Sequence, residues 1–162
     1  MSALVLRPDG LWQGATRWPC SIGRSGITRD KHEGDGATPA GVWRVTAMLY
    51  RPDRLAPPVS WARPIAPGDL WSDDPADPDY NLPVRAPHPF SHEEMWRADA
   101  LYDLILVTDW NAARVPRRGS AIFVHEWRGP DVPTEGCIAL PRAALHVIAA
   151  GLEQGAPVVV GP

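Results

Sequence analysis

Ten of the 19 prolines fall between residues 52 and 90. Proline has a fixed φ and no N–H to donate. A stretch this dense in it cannot run as a helix or as a central strand. The fold must therefore be assembled mainly from the segments on either side. The stretch reads as one long loop, and loops of that length are functional or act as linkers. Its four aromatics, Trp61, Trp71, Tyr80 and Phe90, argue that it packs down onto the rest. It does not mark a boundary, because neither flank alone would bury a sound core. The 162 residues are read as a single domain, residues 1–162, with the 52–90 loop inside it.

The flanks read mostly as strands. Residues 3–6 make a short opening strand, stopped by Pro8-Asp9-Gly10, and residues 18–22 a second. Residues 23–41 are polar and punctuated by glycine; within them Lys31-His32-Glu33 reads as an exposed loop. Residues 42–50 are rich in strand formers. Ser91, with a glutamate three residues on, forms a capping box that predicts a short helix over 91–100. Residues 102–108 carry the unbroken apolar run Leu104-Ile105-Leu106-Val107, the mark of a strand buried on both faces. Residues 121–124 read as another buried strand, ending at His125. Pro141 opens a helix over 141–150, and Gly151 stops it. Residues 157–160 close the chain as a strand. The fold class is mainly β (β-rich α+β), a curled sheet or sandwich with one packed C-terminal helix. The 52–90 stretch is expected to wall part of the substrate groove.

Charge and cysteine content remove several functions. A net charge of −3 argues against a nucleic-acid partner, which would call for a basic face. No apolar run approaches the ~20 residues of a membrane span. The N-terminus lacks a basic segment and has a very short apolar run, so it does not read as a secretory leader. The expected location is the cytoplasm, or the periplasm if a leader precedes this sequence. Two cysteines, Cys20 and Cys137, are too few for a disulfide framework or a four-cysteine zinc site. Cys20 follows Pro19 within a strand-like segment with no histidine nearby, and reads as packing.

Cys137 sits in a different setting. A histidine, His125, ends a buried strand, and twelve residues later a Gly-Cys pair closes a Gly/Pro-rich loop. A cysteine nucleophile needs a base to take its proton, and an imidazole is the usual one. Gly136 allows a sharp turn, and its backbone N–H is a candidate oxyanion donor. Acyl chemistry of this kind needs no metal and no cofactor.

The segment from His125 to Leu140 resembles the signature of the YkuD-like L,D-transpeptidase family: a histidine, a spacer, then Ser/Thr-x-Gly-Cys, here Thr134-Glu135-Gly136-Cys137-Ile138. The upstream Ala37-Thr38-Pro39-Ala40-Gly41 is similar to that family's Thr-Pro-x-Gly loop. The resemblance implies a cysteine acyl-enzyme acting on peptidoglycan stem peptides, at the L,D bond between diaminopimelate and D-Ala. Cys137 would be the nucleophile and His125 the base, with the Glu126 backbone carbonyl orienting the imidazole. Thr134, Glu135, Trp127, Tyr80, Asn81 and His92 are the candidate substrate contacts. The sequence departs from the family pattern at two positions. Glu135 stands where many members have histidine, and Ala139 where many have Arg or Asn.

The expected activity is an L,D-carboxypeptidase that trims tetrapeptides during peptidoglycan recycling. Two other readings stand beside it: a periplasmic L,D-transpeptidase that forms cross-links or exchanges D-amino acids, and an inactive muropeptide-binding domain.

Overall fold

The computed structural model describes residues 2–161. In chain order its elements are β1 (Leu4–Arg7), β2 (Gly10–Gln13), β3 (Thr16–Trp18), β4 (Ile27–Thr28), β5 (Thr38–Pro39), β6 (Gly41–Tyr50), β7 (Arg63–Pro64), β8 (Asp69–Ser72), β9 (Pro83–Arg85), β10 (His92–Glu94), β11 (Leu104–Thr108), β12 (Phe123–Glu126), β13 (Ile138–Leu140), α1 (Arg142–Ala150) and β14 (Pro157–Val160). The large sheet runs β13-β12-β11-β6-β14-β1-β2-β3, with β7 beside β6. It curls until Ser21, just past β3, meets Ala139 of β13 through two backbone hydrogen bonds of 2.8 Å. The sheet is therefore nearly closed, and few edge groups are left to find other partners.

Alternation along β11 explains its apolar run. Leu104 and Leu106 enter one core cluster, together with Val124, Ile138 and the α1 residues Leu145 and Ile148. Ile105 and Val107 enter a second, with Trp71, Tyr102, Phe123 and Cys137. A strand covered on both faces has no polar position to spare. α1 lies over the first face and buries Ala144, Leu145, Ile148 and Ala149.

The proline-rich stretch is not one loop. It contains β7, β8 and β9, and a small sheet ordered β10-β8-β9 covers the second face. Its central strand, β8, is free of proline. Pro83 begins the edge strand β9, and Pro64 ends β7, which pairs only with β6. Proline thus sits where no ladder donor is needed. The stretch packs down as expected, burying Ile65, Leu70, Trp71 and Tyr80.

The helix expected over 91–100 does not form. Ser91 spends its hydroxyl on Asp73 (2.6 Å), and residues 92–94 pair with β8. Long-range pairing outweighs the local capping signal. The second strand expected at 18–22 ends at Trp18, and a β2–β3 hairpin precedes it. The strand expected from residue 121 begins at Phe123, because Ala121 has a φ of 52°.

Candidate active site

The parallel pairing of β12 with β13 builds the site. Val124 lies opposite Ile138, and His125 opposite Ala139. Val124 and Ile138 point into the α1-side core, so alternation turns His125 and Cys137 to the other face. The turn at Gly136-Cys137 does not lead straight into α1. β13 intervenes and ties the segment of Cys137 to the strand of His125.

A cavity of about 380 Å³ opens on both side chains. β10 and residues 97–102 form one wall, and residues 128–135 form the other. The proline-rich stretch does not line it, a correction to the expected groove wall; that stretch lies behind the site as the small sheet. A second cavity, of about 60 Å³, reaches Cys137 from another side, and there Asp73 is the stretch's contribution.

The imidazole is oriented. His125 Nδ1 lies 2.6 Å from the Glu126 carbonyl oxygen, which can only accept. The proton therefore sits on Nδ1 and Nε2 is left as an acceptor. The Tyr102 ring packs edge-on against the imidazole at 5.4 Å between centroids. Burial lowers the His125 pKa to about 4, so the ring is neutral. The Glu126 carboxylate is held by Arg142 (3.0 Å), which also binds Asp103.

The thiol is oriented as well. Cys137 Sγ accepts the Phe123 N–H at 3.3 Å and donates to the Ala121 carbonyl at 3.2 Å. Burial first, and then the neighbouring Glu93 carboxylate, raise its pKa to about 12. The site therefore holds a neutral thiol and a neutral imidazole.

Gly136 has a φ of 146°, and a Cβ there would stand 2.8 Å from the Ala37 carbonyl oxygen, so the turn requires glycine. Its N–H donates to Thr134 Oγ1 (3.1 Å), and that hydroxyl donates to the Cys137 carbonyl (2.6 Å). The candidate oxyanion donor is thus engaged in stapling the turn.

The family model for the YkuD L,D-transpeptidase catalytic domain matches residues 4–160. The chain belongs to this family. Among solved structures, the domain is similar to Bd1075 of Bdellovibrio bacteriovorus, at 14% identity over 99% of this chain and 47% of that one, with a TM-score of 0.50. An L,D-transpeptidase from Mycobacterium smegmatis aligns over 99% of this chain and 58% of its own at 15% identity, with a TM-score of 0.46. L,D-transpeptidase 1 of Mycobacterium tuberculosis aligns over 98% and 62% at 14%, with a TM-score of 0.43. At 14% identity the likeness to Bd1075 concerns the fold alone. The chain spans about half to three-fifths of the length of these proteins. No curated protein matches it in sequence.

Within this YkuD domain the other candidate residues separate clearly. His92, Thr134 and Glu135 line the larger cavity. Glu135 is largely exposed and pairs with Arg24 at 3.1 Å. Trp127 is half-buried and lies outside the cavity lining. Tyr80 and Asn81 are buried and also lie outside it. The Tyr80 hydroxyl donates to Glu33 (2.7 Å) and accepts the Gly119 N–H (3.0 Å). Asn81 Oδ1 accepts from Trp71 Nε1 and from the Ala121 N–H, both at 3.0 Å. It thereby fixes Ala121, the residue whose carbonyl accepts the thiol's hydrogen bond.

Sequence reasoning missed Glu93, Tyr102 and Lys31. Lys31, read as part of an exposed loop, is 4% exposed and salt-bridged to Asp35 (2.6 Å) beside Gly136. The single lysine among fifteen arginines was the available hint.

Proposed function

We propose that this domain is a cysteine-dependent acyl-enzyme peptidase acting on the L,D bond of peptidoglycan stem tetrapeptides, releasing the terminal D-Ala. One observation carries the reading. His125 keeps its Nδ1 proton on the Glu126 carbonyl, so Nε2 is a free base opening into the same cavity as the Cys137 thiol. As Sγ attacks the scissile carbonyl carbon, its proton passes to Nε2. The C–N bond breaks, the D-Ala amine leaves with that proton, and a thioester remains. Water then attacks the thioester, its proton goes to His125, and the thiol is restored.

Because Gly136 is engaged by Thr134, the Cys137 N–H is the better donor to the developing oxyanion. Arg128 is placed to serve the acylation step, whichever acceptor follows. It lies exposed at the cavity rim and has no ion pair among the described residues, so it can receive the free carboxylate of a terminal D-Ala. An amine acceptor in place of water would give D-amino acid exchange or a cross-link.

The test is to incubate the protein with a disaccharide tetrapeptide, with and without excess D-amino acid, and to determine product masses. Loss of D-Ala alone is the expected result. Exchanged or cross-linked products would make the protein a transferase instead. Turnover by Cys137→Ala would overturn the nucleophile.

A further inference from the structure

Glu93 has no part in the reaction as derived so far, yet it stands where the chemistry converges. It sits at the middle of β10, opposite Trp71 of β8, with its side chain directed into the site. It lines both cavities that reach Cys137. One carboxylate oxygen, Oε2, accepts the Tyr102 hydroxyl, and Oε1 has no hydrogen-bond partner among the described residues. Tyr102 in turn packs its ring against His125 and Phe123, and the Phe123 N–H donates to the thiol.

A carboxylate beside a nucleophilic thiol is at first sight counterproductive. Burial already raises the Glu93 pKa, and ionising Cys137 beside it would place two negative charges in one buried space. The protein offsets this only in part, since Lys31 acts on Cys137 and Arg97 on Glu93 while each is engaged by another carboxylate. Arg97, on the wall of the larger cavity, is bound in bidentate fashion to Asp99 at 2.8 and 2.6 Å. Lys31, on the wall of the smaller one, is salt-bridged to Asp35. Arg128 is exposed at the rim. The free oxygen of Glu93 still lacks a cation of its own, and a bound molecule can supply one.

We propose that Glu93 is a specificity-determining residue, receiving on its free oxygen a primary ammonium group of the acyl donor, so that the charge opposing the Cys137 thiolate is cancelled only when a cationic substrate is in place. This rests on the stem-peptide reading above and extends it, naming a third stem residue with a free side-chain amine as the recognised group. A stem tetrapeptide carries that ammonium on one side of the scissile bond and the D-Ala carboxylate on the other. Glu93 and Arg128 offer the complementary charges. The thiol proton still goes to His125 Nε2; Glu93 changes only how costly its departure is.

Two measurements test this. The first compares acylation of Cys137, followed by intact mass, using a tetrapeptide donor with its side-chain amine free or acetylated. The wild type should favour the free amine by about ten-fold, the size expected when one adjacent charge is cancelled. Glu93→Gln should lose that preference, slowing on the free amine and quickening on the acetylated form. The second uses small thiol reagents and needs no peptide substrate. Cationic aminoethyl methanethiosulfonate is compared with neutral methyl methanethiosulfonate on Cys137, with Cys20 as the internal reference. Wild type should prefer the cationic reagent relative to Cys20, and Glu93→Gln should not.

Tyr102→Phe separates charge from scaffolding, since it removes the hydroxyl contact and leaves the carboxylate. It should keep the cationic preference in both measurements. Retention of the preference in Glu93→Gln, or its loss in Tyr102→Phe, would overturn the proposal. A Glu93-dependent preference for the cationic reagent without turnover of either peptide would support the role of Glu93 and sink the stem-peptide reading.

Discussion

On one face of the curled sheet, α1 presses Leu145 and Ile148 onto Leu104, Leu106 and Val124, and the contacts are almost wholly hydrocarbon. On the other face, the small sheet covers Ile105, Val107 and Phe123, and among them lie Cys137, His125, Glu93 and Tyr102. The same strands serve both faces. The first face gains its stability from burial alone, and its tolerances are those of volume and shape. On the second, each polar group has a specific partner: Nδ1 on the Glu126 carbonyl, Sγ between Phe123 and Ala121, and Glu93 under the Tyr102 hydroxyl. Hydrogen bonds to backbone fix the direction of such groups in a way that packing cannot.

The comparison can be broken by finding that the faces share their burdens. Cys137→Ala is expected to abolish product formation while the melting temperature stays near the wild-type value, because the lost side chain is small. His125→Ala should reduce turnover by roughly 10²–10⁴-fold, the usual contribution of a general base. A near-wild-type rate would remove it from the mechanism. On the opposite face, Leu145→Ala should cost about 2–5 kcal/mol in denaturant unfolding, as other buried leucine truncations do. The rate per folded molecule should change little. A large loss of rate without loss of stability would show that α1 helps to set the site.

Acid sharpens the same contrast. His125 has a pKa of about 4 in the fold against 6.5 when unperturbed, because burial disfavours the imidazolium. The unfolded chain therefore binds the proton first. This histidine's contribution to stability is intact above pH 6.5 and is lost as the pH falls toward 4, by about 3 kcal/mol in all. Unfolding measured across that window should be steeper for wild type than for His125→Gln, whereas Leu145→Ala should keep the wild-type slope. The smallest effect is expected at the rim. Glu135→Ala removes an exposed pair with Arg24 and should change stability by about 0.5 kcal/mol or less.

Most strands were legible because their patterns are local. The run at 104–107 declares burial on both sides, residues 141–150 carry their own start and stop signals, and residues 157–160 form β14 as expected. The errors fell where a distant partner decides. Ser91 and Glu94 spell a helix start, but Asp73 and β8 claim them. The proline-rich stretch hides β8 because four proline-free residues look like loop until the strands on both sides are known. Tyr80 and Asn81 were read as substrate contacts from their place in that stretch. Their side chains instead turn inward, to Glu33 and to Ala121.

The sequence alone marked the family and the candidate pair, for a histidine at a strand end and a Gly-Cys pair twelve residues on carry its signature and their own turn. It also determined a β-rich fold, since apolar alternation and proline leave little else. Only the tertiary structure decided what surrounds the thiol. Glu93 comes from β10, Tyr102 from the approach to β11, and Lys31 from a loop more than a hundred residues before Cys137. No local pattern marks such residues, because their effect is electrostatic and acts through space, at distances set by how the sheets stack.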